Sequence, residues 1–220
     1  MFDRERFSDR REAGRLLGEA VKRLGLADPV VLALPRGGVP VGYEVASAIG
    51  APLDILLVRK IGAPGHEEYG IGALVDGAAP QVVIDEAAAR MVGAGKDYID
   101  RQVAFQLGEI ERRRAAYRSG PPLPLKARIV VVVDDGIATG GTVKAALKGL
   151  ALTGASRIVL AVPVAPSETV SELRALCSDV ICLMSPQPFY AVGAHYRDFT
   201  QTEDEEVIRL LADARHTIST

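Results

Sequence analysis

Residues 129–142 read Ile-Val-Val-Val-Val-Asp-Asp-Gly-Ile-Ala-Thr-Gly-Gly-Thr, and no other stretch limits the fold of this chain as strongly. Val130–Val133 is apolar without alternation, the pattern of a strand buried on both faces. Such strands belong to parallel sheets wrapped by helices, whose ligands collect at the carboxyl ends of the strands. Asp134 and Asp135 stand at that end. Ala138, Gly140 and Gly141 carry little or no side chain, so their N–H groups can approach an anion closely. Thr139 and Thr142 add hydroxyl donors. A helical pattern follows from Lys144 to Leu150, and its positive end favours a phosphate dianion by up to about 2 kcal/mol.

The two acids narrow the ligand. Paired carboxylates repel a bare phosphate and prefer hydroxyls or a hard cation such as magnesium. The expected ligand therefore carries a phosphate at one end and a metal-associated polyol beside it. A ribose 5-phosphate meets that description.

The rest of the chain alternates strand and helix. Arg10–Leu24 reads as a helix capped by Ser8 or Asp9, with Ala13, Leu16, Leu17, Ala20, Val21 and Leu24 in one stripe. Strands are expected at Val30–Leu34, Leu53–Val58, Gln81–Asp85, Arg157–Val162 and Val180–Met184. Helices are expected at Val39–Ile49, from Asp85 to Val92, through Ile99, Val103, Leu107 and Ile110, at Ser167–Leu176 and at Glu205–Ala214. Residues 60–80 read as irregular and Gly-rich. This alternation with Val/Ile/Leu-rich strands argues an α/β fold, a parallel sheet with helices on both faces.

Composition excludes several classes. The chain has 220 residues, 48% hydrophobic and 25% charged, which suits one domain over 1–220 with a sizeable core. A formal net charge of −2 gives no basic field for nucleic acid or an anionic membrane. Arg112-Arg113-Arg114 reads as a solvated helix face beside Glu109 and Glu111. No apolar run approaches the ~20 residues of a membrane span, and the charged N-terminus Met1–Phe7 lacks the apolar core of a signal peptide. Cys177 and Cys182 stand without ligand spacing and read as reduced thiols of a cytoplasmic protein.

Val-Asp-Asp-Gly-Ile-Ala-Thr-Gly-Gly-Thr resembles the phosphoribosyl pyrophosphate (PRPP) motif of the type I phosphoribosyltransferases: a hydrophobic strand, two acids, two variable residues, a small or acidic residue, then Thr-Gly-Gly-Thr. The alternative, a strand–loop–helix turn that binds nothing, leaves the double acid and the hydroxyl-glycine loop unexplained. The resemblance implies a five-stranded parallel core and a smaller hood, here taken from 60–80 and 185–202. It also makes the helical stretch of about 86–118 an insertion near the hood or an oligomer contact. It implies transfer of ribose 5-phosphate from PRPP to a nitrogenous acceptor with release of pyrophosphate, a pentosyltransferase reaction of nucleotide metabolism.

Roles follow by position. The resemblance puts Asp134 and Asp135 on the ribose hydroxyls and on Mg2+, and residues 138–142 on the 5-phosphate. Leu34-Pro35-Arg36-Gly37-Gly38 takes the place of the family's pyrophosphate loop, with Arg36, Gly37 and Gly38 as its binding residues and Arg36-Gly37 as the expected cis peptide. Arg59 and Lys60 open the glycine-rich stretch 61–77, and a basic pair on such a loop can close over a polyanion. Asp134, Asp135 and Lys60 are thus the expected catalytic residues, with Arg59 on the pyrophosphate. His66 and Glu67 lie further along and read as solvated. Phe189, Tyr190 and Asp198 sit in a cluster of aromatics near the C-terminus and are the candidates for holding the acceptor. The competing reading of those aromatics is a hydrophobic lid packed on the core.

One residue departs from a branch of the family. The 6-oxopurine enzymes carry an Asp before Thr-Gly, and this chain has Ala138 there, as in the adenine and orotate branches. The chain resembles a group of predicted bacterial phosphoribosyltransferases whose acceptor is not evident, and the acceptor is left open. Expected partners are small molecules, with no nucleic acid and no membrane, and a homo-oligomer is allowed. A second reading is a non-catalytic PRPP- or nucleotide-sensing regulator on the same fold. Dinucleotide or triphosphate binding is disfavoured because GxGxxG after a strand and GxxxxGK[ST] are both absent.

Overall fold

The structure is a computed structural model and describes residues 6–77, 79–117 and 120–218. Met1–Glu5 of the charged N-terminus lie outside the described residues. The core is a five-stranded sheet of β1 (Pro29–Ala33), β2 (Leu53–Ile55), β6 (Ile129–Val133), β7 (Arg157–Val164) and β8 (Asp179–Met184), in the order β2-β1-β6-β7-β8. All four pairings are parallel. β1 is buried along its whole length, as is β6 from Val130 onward, which is why both read as unbroken apolar runs.

Helices cover both faces. One face carries α1 (Arg10–Lys22), α2 (Gly38–Ile49) and α7 (Asp204–Ile218), packed through Leu17, Val21, Val41, Val45 and Leu210 onto Val31 and Val131. The other carries α5 (Gly141–Ala151) and α6 (Ser167–Leu173), packed through Leu147, Leu150 and Leu173 onto Val130, Val132 and Leu160. The chain steps from β1 through α2 to β2 on one side of the sheet, then returns to β6 and moves the other way. The junction of β1 and β6 is therefore the topological switch point, where a crevice opens above the strand ends.

Residues 60–75 correct the sequence reading, while the strand expected at Gln81–Asp85 is found at Gln81–Ile84. The segment is regular rather than irregular: β3 (Val58–Ala63), β4 (His66–Val75) and β5 (Gln81–Ile84) form a three-stranded antiparallel sheet. A turn at Pro64-Gly65, with Gly65 at φ +72°, joins β3 to β4. The glycines that suggested a loop instead mark irregular register, which shifts between Ile61 and Gly62 and again before Ala63. The expected strand Leu53–Val58 is also split, its last residue opening β3.

Helices α3 (Glu86–Met91) and α4 (Lys96–Tyr117) follow, and Ala89, Ala94, Tyr98, Ile99 and Val103 cover one face of this small sheet around Ile61 and Ile71. Helices α3 and α4 thus pack on the small antiparallel sheet. Segment 185–202 does not extend that sheet. Phe189, Val192, Tyr196 and Phe199 pack instead with Phe7, Ala13 and Leu16 at the start of α1.

Candidate functional site

Asp134 and Asp135 follow Val133, which is paired on one side with Ala33 and on the other with Ala161. The acids therefore leave the central strand at the switch point. The loop after β1 faces them. Leu34 N–H donates to the Val133 carbonyl at 2.9 Å, and Gly38 N–H closes the turn on the Leu34 carbonyl at 3.0 Å. A Cβ on Gly37 would lie 2.0 Å from Asp135 Oδ2, so only glycine lets the two loops approach this closely. The cis peptide lies at Pro35-Arg36, one bond earlier than the sequence suggested.

The loop before α5 is bare by comparison. Gly140 caps α5 in the left-handed conformation at φ +74°, which turns the chain into the helix without a side chain in the way. Ala138, Thr139, Gly141 and Thr142 are exposed. The first-turn amides of α5 have no acceptor within their own helix, and the helix dipole adds partial positive charge at the same place. Ile137 N–H is anchored to the Val164 carbonyl at 2.9 Å, and Thr169 Oγ1 donates to the Ala138 carbonyl at 3.3 Å, so the loop is braced from below.

The acids are strongly constrained. Asp134 Oδ1 accepts from Asp135 N–H at 2.9 Å. Asp135 Oδ2 accepts from Arg10 Nε at 2.7 Å, and the buried Tyr196 hydroxyl donates to the Asp135 carbonyl at 2.5 Å. Burial first, and then the neighbouring Asp135 charge, push the Asp134 carboxyl well above the usual carboxylate range. Burial raises Asp135 as well, with Arg10 opposing it. Burial, then Asp135, push the Tyr196 phenol up, which keeps it a neutral donor.

The basic candidates divide. Arg36 turns toward the start of α7, 3.4 Å from Asp204 Oδ1 and 3.7 Å from Glu203 Oε2. Tyr117 donates to the same Asp204 at 2.6 Å, which with Arg36 holds that carboxyl below its usual range. Arg59 Nε donates to Gln106 Oε1 at 2.9 Å, and Lys60 is exposed. Both line a cavity of about 610 Å³ between the small sheet, α4 and Thr142, so the structure brings them beside the start of α5.

The acceptor candidates differ in their surroundings. Phe189 lies 5.2 Å from the His195 ring within the cluster that covers α1. Tyr190 is 83% exposed. Asp198 turns back on its own loop, accepting from Thr200 N–H at 2.9 Å and from its hydroxyl at 2.6 Å. Phe189, Tyr196 and Phe199 thus act as the packed lid, the competing reading of that cluster. Sequence reasoning missed Arg10 and Tyr196, which lie 125 and 61 positions from Asp135, beyond any local pattern.

The site thus joins an acid pair to a bare, helix-capped loop at the switch point of a parallel sheet. The chain belongs to the phosphoribosyl transferase domain family, whose model matches residues 9–197. Two proteins of Mycobacterium tuberculosis, provisionally named phosphoribosyl transferases, are 44% identical over 208 residues, covering 93% of this chain and 46% of theirs. The chain thus spans about half the length of these curated relatives. The crystal structure of TT1426 from Thermus thermophilus is 45% identical, with a TM-score of 0.84 over 94% of this chain and 98% of that one. A Neisseria gonorrhoeae protein solved with bound ppGpp shares the fold at 13% identity, with a TM-score of 0.50 over 98% and 99% of the two chains. Among the described residues no helix is long and apolar enough to cross a membrane.

Proposed function

We propose that the protein transfers ribose 5-phosphate from PRPP to a nitrogenous acceptor, a base in our reading, and releases pyrophosphate in the cytoplasm. One observation carries this reading: the acid pair and the bare loop of α5 meet at the switch point, directly opposite the loop that holds Gly37. In the reaction the bond from the anomeric carbon to pyrophosphate breaks. The acceptor nitrogen bonds to that carbon and gives up a proton. The transition state has oxocarbenium character beside a departing polyanion, so positioning and charge stabilisation dominate.

Residues 138–142 hold the 5-phosphate, and Asp134 and Asp135 hold the ribose hydroxyls. Arg36, Gly37 and Gly38 receive the pyrophosphate, with Arg59 or Lys60 closing over it. Arg36 leaves Asp204 to do so. Ala138 supplies no carboxylate for the acceptor proton, so the 6-oxopurine route is not part of this reading.

Two adjacent, largely buried carboxylates, of which only Asp135 has a cationic partner in Arg10, fit a divalent cation. Among the described residues no cluster of three or more His, Cys, Asp or Glu could form a protein cage. Mg2+ would therefore be held by Asp134 and Asp135 together with water and the ligand's own oxygens, as is usual for this ion. When bound it supplies charge neutralisation for the pyrophosphate.

Saturating PRPP with Mg2+ should raise the melting temperature, and Asp134→Asn with Asp135→Asn should abolish the shift. A screen of bases and amines for pyrophosphate release then identifies the acceptor. A melting curve that ignores the ligand defeats the reading. Binding with only slow hydrolysis across the screen favours a PRPP sensor instead.

A further inference from the structure

The acid pair is gripped by a residue outside the motif. Arg10 opens α1, and its Nε donates to Asp135 Oδ2 at 2.7 Å while Nη1 donates to the Thr200 carbonyl at 2.7 Å. Its guanidinium lies 3.9 Å from the centroid of the Phe199 ring. Only 11% of the Arg10 side chain is exposed, against 15% for Asp135. Ion pair, carbonyl and aromatic face together satisfy the planar fork, an arrangement that a lysine cannot reproduce.

The surrounding framework keeps Arg10 there. Helix α1 lies unusually close to α2: a Cβ on Gly14 would be 2.8 Å from Glu44 Cβ, and one on Gly18 would be 2.7 Å from Ala48 Cβ. The residues before α1 are stitched to the C-terminal segment. Phe7 N–H donates to the His195 carbonyl at 2.8 Å, Arg197 N–H to Phe7 at 2.8 Å and Asp198 N–H to Ser8 at 2.9 Å. Tyr196 from that segment then bonds the Asp135 carbonyl. Both the side chain and the main chain of Asp135 are therefore fixed from outside the motif.

We propose that Arg10 is the positioning residue of the ribose site: by its bond to Asp135 Oδ2 it holds that acid against the Gly37 turn and leaves Asp134 and Asp135 Oδ1 to meet the ligand. This rests on the transferase reading. Among the described residues no cationic side chain pairs with Asp134. With one guanidinium between the two acids, Asp135 has its cation within the fold and Asp134 is left to find one in a metal-bearing polyol. The Asp135 carboxylate also links α1 to the pyrophosphate loop, since its oxygen occupies the space a Gly37 side chain would need.

The test is a double-mutant cycle read by calorimetric titration with PRPP and Mg2+, with inorganic phosphate as a second probe. Arg10→Met should weaken PRPP binding at least about tenfold, as loss of a desolvated charge partner does, and leave phosphate binding at residues 138–142 unchanged. Arg10→Lys should recover only part of the loss. Asp135→Asn should weaken PRPP binding too, and the double variant should be no weaker than Asp135→Asn alone, because Arg10 acts through that carboxylate. Additive losses would mean that Arg10 touches the ligand itself, and equal loss of both probes would mean a general structural role; either overturns the proposal, as does wild-type affinity in Arg10→Met. A wild type that binds phosphate but not PRPP removes the transferase reading, and this proposal with it.

Discussion

The two halves of the crevice are built on opposite principles. The half we propose for the phosphate is open: Thr139, Gly141 and Thr142 are exposed, and the groups offered there are main-chain amides at the start of α5. The acid half is crowded: Asp135 is bonded through its side chain to Arg10 and through its carbonyl to Tyr196, while Gly37 presses on its carboxylate. An anion loop made of backbone needs only small residues and a helix end to function. A buried carboxyl pair needs compensation brought from elsewhere in the fold. Substitutions on the two sides should therefore separate, with those near the acids changing both stability and ligand response and those on the loop changing the response alone.

The largest effect is expected at Gly37. A methyl group there would sit 2.0 Å from Asp135 Oδ2 and 2.6 Å from its Cγ, so the carboxylate must swing away from Arg10. Gly37→Ala should lower stability by about 2–3 kcal/mol, as overpacking does, and remove the PRPP response. Urea unfolding with and without ligand measures both. A variant as stable as the wild type would show that the acid side is looser than the contact implies.

Asp134→Asn should act in opposite directions on stability and binding. Burial and Asp135 raise the Asp134 carboxyl above its ordinary value of 3.8, so the folded protein binds this proton more readily than the unfolded chain does. The charged group therefore costs stability near neutral pH. That cost is relieved as pH falls through the raised folded value, and is gone below 3.8. The asparagine variant should be more stable at neutral pH, on the order of 1–2 kcal/mol, and should lose the acid-side gain while no longer answering PRPP. Melting temperatures from neutral to mildly acidic pH test this, and parallel curves for the two proteins would contradict it.

The same contrast explains how much could be read in advance. Val130–Val133 and the residues through Thr142 carry their structure locally: an apolar run needs two covered faces, and small residues before a helix expose amides. The five-stranded core and the placement of Asp134 and Asp135 at its carboxyl edge were legible for that reason. The β3–β4 hairpin was hidden because Gly62, Gly65, Gly70 and Gly72 look like loop residues, while the apolar cover that makes them a sheet comes from α3 and α4. Phe189 and Asp198 illustrate the reverse case. An aromatic beside an acid suggests a base pocket, but Phe189 packs toward α1 and Asp198 bonds its own turn. Arg10 carries no local mark at all, since what it does depends on the docking of α1 against α2.

Tyr196→Phe should be milder. It removes a single hydroxyl that donates to the Asp135 carbonyl at 2.5 Å, while the ring keeps its contacts with Phe7 and Phe199 at 5.5 and 5.0 Å. Losing that bond to a buried acceptor should lower stability by about 1 kcal/mol. It should also weaken PRPP binding less than Arg10→Met does, because Asp135 keeps its guanidinium partner. A loss equal to that of Arg10→Met would make the main-chain contact, rather than the ion pair, the part that fixes the acid.

The smallest stability change belongs to Gly141→Ala, the counterpart of Gly37→Ala across the crevice. A Cβ on Gly141 meets no atom within 4 Å, and the residue begins α5 without the positive φ of Gly140. Alanine is the better helix former by up to about 1 kcal/mol in a helix interior, and less at a first position. Stability should therefore hold within about 0.5 kcal/mol or rise slightly. The same methyl group stands beside the amides proposed to receive the phosphate, so affinity for inorganic phosphate and for PRPP should fall together. If titration shows both affinities intact, the anion is not held by the first turn of α5, and the open half of the crevice loses the role its exposed amides suggest.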